Sequence, residues 1–384
     1  MPQQQKTDKK LFSTIVGLLA FGLVMVYSAT SITSELNQTT HDGNYYLVRQ
    51  FAWVVVSFIF MLYFKRKDYR KLESSVWALA PLAISMVLLI VVYFVDHEKH
   101  RWLRFGPVGF QPAEFARPAM AVFLAWFVSQ RLHAINSRHT LVPAALVVAV
   151  LGFCVVVADL GTLMVLGLTV VGVFFVAGMS RRNIALACLV GLLAGGIAIV
   201  HKPYRLVRVL KHFDKEERWI PLIDPGGHLR ARADKSATKD PSYHSTQALI
   251  AVASGGALGL GWMEGQQKLL FLPEVRNDYI YALIGEELGL WGATAVICAY
   301  LVILHRGFRL FMRAPDQFGR YLALGVTLMI VTQALINMTV VLDIVPSKGF
   351  TLPLVSYGGS SMLSTMISLG ILLSVGDRSD MKES

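Results

Sequence analysis

Ten apolar runs punctuate the chain, near 12–34, 44–64, 75–95, 112–130, 141–157, 162–178, 184–200, 279–304, 321–341 and 353–375. Each is close to the roughly twenty residues needed to cross the hydrocarbon core of a bilayer. The pattern predicts an all-α polytopic membrane protein with about ten transmembrane helices. The shortest break is "ADLGT" (158–162), between the fifth and sixth runs. The first run follows "KTDKK"; it is too long for the apolar part of a secretory signal and lacks a clear small-residue cleavage site, so it reads as the first span.

Basic residues in the short connections set the expected orientation. Lys6, Lys9 and Lys10 precede the first span, "KRKDYRK" (65–71) follows the second, "SQRLHAINSRH" (129–139) the fourth, "SRR" (180–182) the sixth and "HRGFRLFMR" (305–313) the eighth. They alternate consistently with both termini in the cytoplasm. Two segments then fall outside. One is "DHEKHRWLRFGPVGFQPAEFARP" (96–118), which runs into the fourth helix. The other is 201–277, far longer than an ordinary connector, and loops of that length are usually functional or disordered. Its centre (226–242) reads as a flexible tether. Its end, "TQALIAVASGGALGLGW" (246–262), is apolar and Gly-rich and predicts a short amphipathic or re-entrant element against the membrane. One integral membrane domain over 1–384 is expected, with short cytoplasmic tails at 1–11 and 376–384.

Composition agrees with this reading. Of the 384 residues, 54% are hydrophobic and 16% charged, against about 25% charged in soluble domains. The net charge of +11 would suggest nucleic acid in a soluble protein; here it is taken up by orientation-setting loops that meet anionic lipid. Cys154, Cys188 and Cys298 all lie inside apolar runs, where they serve as small packing residues, so no disulfide is expected.

Charges at membrane depth are costly and mark candidate sites. "FLPEVRNDYIYALIGEELGLWG" (271–292) concentrates them: Glu274, Arg276 and Asp278 at the start of the eighth run, then Glu286 and Glu287 deeper. Locally, Asp278 reads as a helix start, and the two glutamates as buried carboxylates bonded to a neighbouring helix, with Gln333 and Asn337 as candidate partners. Glu114 and Arg117, three apart in "QPAEFARP" (111–118), share a helix face and can pair. Arg101 and Trp102 place a cation and an aromatic beside them. Asp159 precedes Gly161 in "ADLGT". In "VPSKGFTLPLVSYGGSS" (345–361), Pro346, Gly349 and Pro353 force irregular backbone, which lipid tolerates only where it is buried in protein or faces water; Lys348 and Ser356 lie on it. No metal-ligand, Walker A or nucleophile-elbow motif occurs.

"RWLRFGPVGFQPAEFARP", "ADLGT", "QKLLFLPEVRNDYIYALIGEELGLWG" and "PSKGFTLPLVSYGGSS" occur in this order, and as an ordered set they resemble the SEDS family (shape, elongation, division and sporulation) over nearly the whole chain. The Lys348-Gly349-x-Thr351 combination is similar to its cell-division branch. Departures are Arg276-Asn277 where His-Thr is frequent, Arg117 in place of Lys, Asp343 in place of a small residue, and a longer, more charged loop at 220–242.

The resemblance implies a peptidoglycan glycosyltransferase that polymerises lipid II at the outer face of the cytoplasmic (inner) membrane, at the division septum, and releases undecaprenyl pyrophosphate. It implies a class B penicillin-binding protein, a transpeptidase, as partner, with other division proteins and membrane lipids around it and no nucleic acid. It implies Asp278 as the catalytic residue. The expected substrate-binding set is Arg101, Trp102, Glu114, Arg117, Asp159, Arg205, Gln247, Lys268, Glu274, Arg276, Lys348 and Ser356.

The chemistry suits these residue types. A sugar hydroxyl is a poor nucleophile, and a positioned carboxylate can take its proton. The pyrophosphate leaves without an acid but needs positive charge beside it; Arg208 adds to the cations of the outer segments. A divalent cation, Mg2+ or Mn2+, on the pyrophosphate is compatible with this, although the sequence shows no dedicated metal site. Two other readings stay open: a flippase for a lipid-linked precursor, which would hold its site at the midplane rather than at one face, and a scaffold that recruits a transpeptidase and has no need of Asp278.

The orientation is open to a direct check. A cysteine introduced at Ser236 should react with an impermeant thiol reagent on intact spheroplasts, whereas cysteines at Ser137 and Ser180 should be protected. The opposite labelling pattern would invert the topology and remove the outer-face site.

Overall fold

With no water in the bilayer to satisfy backbone N–H and C=O groups, an apolar run of this length can cross only as a helix. The computed structural model describes residues 7–35, 44–97, 100–105, 108–201, 203–214, 241–268, 275–346 and 349–379. The apolar runs form α1 (Lys9–Glu35), α2 (Tyr45–Arg66), α3 (Ser75–Val95), α4 (Pro112–Arg131), α5 (Arg138–Ala158), α6 (Leu160–Val176) and α7 (Arg181–Val200). Past the long segment come α10 (Ile280–Arg313), α11 (Gln317–Val341) and α12 (Gly359–Ser379). Eight of the ten are long and apolar enough to span a membrane by themselves. The others are α6, which is short, and α4, which carries Glu114 and Arg117 and is buried along most of its length.

Burial sorts the helices into a centre and a rim. The apolar windows of α11 and α12 are 78% and 83% buried, that of α7 not at all, so α7 faces lipid. Helices α4, α11 and α12 pack together at the centre, with α2 along α12, α3 and α6 against α4, and α1 against α10. The chain enters α6 with almost no loop: Asp159 is at once the end of α5 and the N-cap of α6, accepting from Gly161 N (3.1 Å) and Thr162 N (3.3 Å).

Three features depart from the pattern-based expectation. The segment 96–118 holds a small antiparallel hairpin, β1 (Leu103–Phe105) with β2 (Val108–Phe110), before α4. Among its described residues, the segment 201–277 contains two helices, α8 (Pro203–Phe213) and α9 (Pro241–Gly255); the tether expected at 226–242 lies mostly outside the described residues. The last span starts at Gly359 rather than 353, because Pro353 and Leu354, with φ of 69° at Leu354, hold the preceding stretch in turns.

The Gly-rich end of the long segment docks on a break in α10. At Gly289 the backbone leaves the helical region (φ 63°, ψ −160°), and the hydrogen bonds of that turn are made elsewhere. Leu260 N and Gly261 N donate to the carbonyls of Glu286 (2.9 Å) and Glu287 (3.0 Å), and Leu290 N donates to Gly256 O (3.0 Å). Only glycine permits this approach. A Cβ on Gly259 would sit 2.2 Å from Glu287 O, and one on Gly289 would sit 2.4 Å from Gly259 N; both residues have positive φ.

Side chains lock the same junction. Glu286 accepts from Gln266 N (2.8 Å) and Gln267 N (3.1 Å). Glu287 accepts from Lys268 Nζ and from Ser28 Oγ of α1, each at 2.6 Å, and Lys268 donates further to Ser28 Oγ (3.0 Å) and Met263 O (2.8 Å). The expected partners of the two glutamates, Gln333 and Asn337, are therefore not the observed ones, because the Gly-rich segment reaches the carboxylates first. Removing one member of a buried pair strands the other charge, at about 3–5 kcal/mol. Lys268→Met should therefore lower the thermal unfolding temperature of the purified protein clearly, and adding Glu287→Leu should recover much of the loss. A single variant as stable as wild type would contradict this account.

Candidate active site

At the end of the bundle from which α10 starts, two irregular stretches lie side by side: 275–279, leading into α10, and 349–358, leading into α12. Asn337 of α11 joins them, donating through Nδ2 to Asp278 O (2.8 Å) and to Phe350 O. Tyr357 N donates to Arg276 O (2.9 Å). Gly349 passes so close to Asp278 that a Cβ there would lie 2.4 Å from Asp278 Oδ2. Any side chain at 349 would thus displace the carboxylate. Asp278 is half-buried, and its neighbour Tyr279 is buried. Burial first, then the Asp278 charge, pushes the Tyr279 phenol above its ordinary range, while Arg208 of α8 acts in the opposite direction. Arg208 and Asp278 therefore act on one point.

Arg276 sits over the ring of Tyr46 from α2, 4.0 Å from its centroid, and 5.8 Å from that of Tyr357, a geometry that fixes the guanidinium without neutralising it. The stretch behind it is tied on all sides. Gln50 of α2 brackets it, donating to Ser356 O and accepting from Gly358 N, both at 3.3 Å. Gln333 of α11 donates to Thr351 O (2.9 Å) and Thr351 Oγ1 (3.2 Å). Arg117 pairs with Glu114 and donates to Gln333, so the expected Glu114–Arg117 pair supports the 349–358 stretch through Gln333.

A second charged pair stands beside this one. Arg101, ahead of the hairpin, lies 3.6 Å from Asp159. The Cα of Gly161, two residues on, is covered by the ring of Phe350, which follows Gly349. Trp102 covers Gly109 of the hairpin, and its backbone N–H, like that of Arg101, is held by Asp96.

The expected site residues thus fall into groups. Asp278, Arg276, Arg101 and Asp159 are joined through Gly349, Phe350 and Gly161. Glu114 and Arg117 lie underneath as buried support. Ser356 accepts from Leu352 N (2.7 Å) and shapes the turn. Arg205 donates to Ala198 O and Val156 O (both 3.2 Å), carbonyls at the ends of α7 and α5. Gln247 is half-buried on α9. Lys268 is 2% exposed, with all three donors taken inside the α10 junction, which corrects its expected place among the substrate cations. Glu274 and Lys348 lie outside the described residues.

Sequence reasoning missed Asn337, Gln333, Gln50 and Tyr46 as parts of this assembly. The available signal was Gln333 and Asn337 one turn apart in an apolar helix, since polar groups at that depth need partners. Among the described residues no three His, Cys, Asp or Glu side chains cluster to hold a metal.

A polytopic helical bundle with a clamped carboxylate and cations at one end is the class this geometry defines. A family model described as "Cell cycle protein", covering FtsW, RodA and SpoVE, matches residues 9–380. The probable peptidoglycan glycosyltransferase FtsW of Trichlorobacter lovleyi is 32% identical over 375 residues, 96% of this chain and 92% of that protein. Stage V sporulation protein E of Bacillus subtilis is 32% identical over 381 residues, 97% and 98% of the two chains. A chain of a peptidoglycan synthase complex, solved to show how polymerization and crosslinking are coordinated, superposes with a TM-score of 0.73 at 24% identity, covering 98% of this chain and 99% of that one. The chain belongs to the FtsW/RodA/SpoVE family.

Proposed function

We propose that this chain is a peptidoglycan glycosyltransferase of the multi-pass cytoplasmic membrane protein type. It polymerises lipid II into glycan strands at the outer face and serves septal wall synthesis with a transpeptidase partner. The observation that carries the reading is the placement of Asp278. Its backbone carbonyl is held by Asn337 and its carboxylate lies against Gly349, at one end of the bundle beside cations, in a chain whose relatives bear that activity in their names.

The chemistry follows from this placement. The acceptor sugar hydroxyl attacks the anomeric carbon of the growing chain, the bond from that carbon to the lipid-linked pyrophosphate breaks, and Asp278 takes the hydroxyl proton. One displacement inverts an α-linked donor to a β-linked glycan. Negative charge grows on the departing pyrophosphate, so fixed cations lower the barrier. Arg276 and Arg101 are suited to this: the guanidinium of Arg276 is fixed over the Tyr46 ring, and that of Arg101, about a third exposed, lies 3.6 Å from Asp159. The partner is proposed to be a class B penicillin-binding protein, on the basis of family membership and the synthase-complex fold match.

Asp278→Asn separates this reading from its rivals. The N-cap of α10 is Tyr279, so Asn at 278 keeps the shape of Asp without disturbing a cap, but it cannot accept the proton, and losing a general base costs about 10²–10⁴-fold in rate. With labelled lipid II and the partner transpeptidase present, the variant should co-purify with its partner, unfold at the wild-type temperature and make no glycan visible on a gel. Near-wild-type polymer would remove Asp278 as the base. Lost lipid flipping in vesicles with polymerisation intact would favour the transporter.

A further inference from the structure

The opposite end of the bundle carries a site that the polymerase chemistry does not use. Between the start of α1, the end of α10 and the end of α12 lies a cavity of about 280 Å³. Lys9 and Lys10 line it from α1, and Arg306, Arg309 and Arg313 from α10. The three arginines are spaced i, i+3, i+7 and so share one helix face.

The acids nearby are already engaged. Asp8 caps α1 by accepting from Leu11 N (3.1 Å) and also pairs with Arg306 Nη2 (2.6 Å). Asp377 of α12 pairs with Lys65 (3.4 Å). Lys9, Lys10, Arg309 and Arg313 are exposed and make no ion pair among the described residues. Four cations therefore converge on one cavity, and among the described residues the one acid that lines it, Asp8, is taken by Arg306.

Orientation of the spans does not account for this. The positive-inside tendency asks for basic loops, not for their convergence in a cavity. The arginines suit the C-terminal end of α10, but Lys9 and Lys10 sit in the first turn of α1, where the helix dipole disfavours cations. Their placement makes sense with an anion between the helix ends, which would also meet the N-terminal end of α1.

We infer that this cavity binds the phosphate headgroup of an anionic phospholipid. The cavity is far smaller than a protein interface and fits one headgroup. The acyl chains have a place beside it. Phe308 and Met312, adjacent in sequence to Arg309 and Arg313, are 49% and 61% exposed, so a lipid-facing apolar strip runs along the cationic one. Basic pockets between transmembrane helices on the cytoplasmic side hold such headgroups, and the basic connections place this end there. The lipid ties α1 to α10, the helix whose far end presents Asp278.

The test uses the purified full-length chain in mild detergent, titrated with phosphatidylglycerol, cardiolipin or phosphatidylcholine and read by native mass spectrometry. Wild type should hold the anionic lipids in preference to phosphatidylcholine. The variant K9Q/K10Q/R309Q/R313Q, altered only at exposed positions, should lose at least ~10-fold of that preference. A control, R138Q/R181Q/R182Q, removes cations from other basic connections and should keep it. Equal loss in the control would reduce the effect to diffuse surface charge and overturn the site. So would an unchanged preference in the first variant. Displacement of the lipid by millimolar inorganic phosphate would also overturn it, reassigning the cavity to a soluble anion.

Discussion

The structure depends on one constraint at the Asp278 end: two irregular backbone stretches must be satisfied without help from a surrounding helix. Asn337 does this by donating to Asp278 O and Phe350 O together. An unpaired buried carbonyl costs about 1–3 kcal/mol, and here one amide from the centre of the bundle covers two. The same amide sets the spacing between the two stretches, and that spacing brings Gly349 against the Asp278 carboxylate. Support extends inward through Thr351, Gln333 and Arg117 to Glu114. The backbone that carries Asp278 is thus held from behind by polar residues of α4 and α11.

The break in α10 obeys the same rule at a second place. Gly289 interrupts the helix, and the Gly-rich stretch after α9 takes up the freed groups with its own backbone. Glu286, Glu287 and Lys268 then fasten that stretch to α10 and α1. The short first part of α10, from Ile280 to the break, is thereby bound to the segment that precedes it. Nine residues of helix, about 13 Å, separate this junction from the stretch that carries Asp278.

Much of the fold was legible in the hydrophobic pattern, because span length is imposed by the bilayer rather than by neighbouring residues. The ten runs became α1–α7 and α10–α12, most with end shifts of a few residues, although α10 continues to Arg313, through the connection expected at 305–313. The exceptions have local causes. Pro353 and the left-handed Leu354 delay the start of α12, and a three-residue strand such as Leu103–Phe105 is too short to leave a periodic signal. In the site, Asp278, Arg276, Arg101 and Asp159 were identified as charges at a membrane end. Their assembly was not, since it depends on contacts such as Asn337 with Asp278, 59 positions apart. Lys268 shows the limit most clearly. An isolated lysine in an outer segment reads as a free cation, and only the fold shows Glu287 waiting for it.

The central claim is that backbone proximity at Gly349 presents Asp278 for proton transfer, and Gly349→Ala tests it without altering any group that reacts. The added methyl has nowhere to go except into the carboxylate. Displacement of a reacting group by about an ångström costs on the order of 10²-fold in rate. Polymer formed from labelled lipid II by the purified variant with its partner transpeptidase should fall by about that factor, with the thermal unfolding temperature close to that of wild type. Wild-type polymerisation by a folded Gly349→Ala protein would contradict the account.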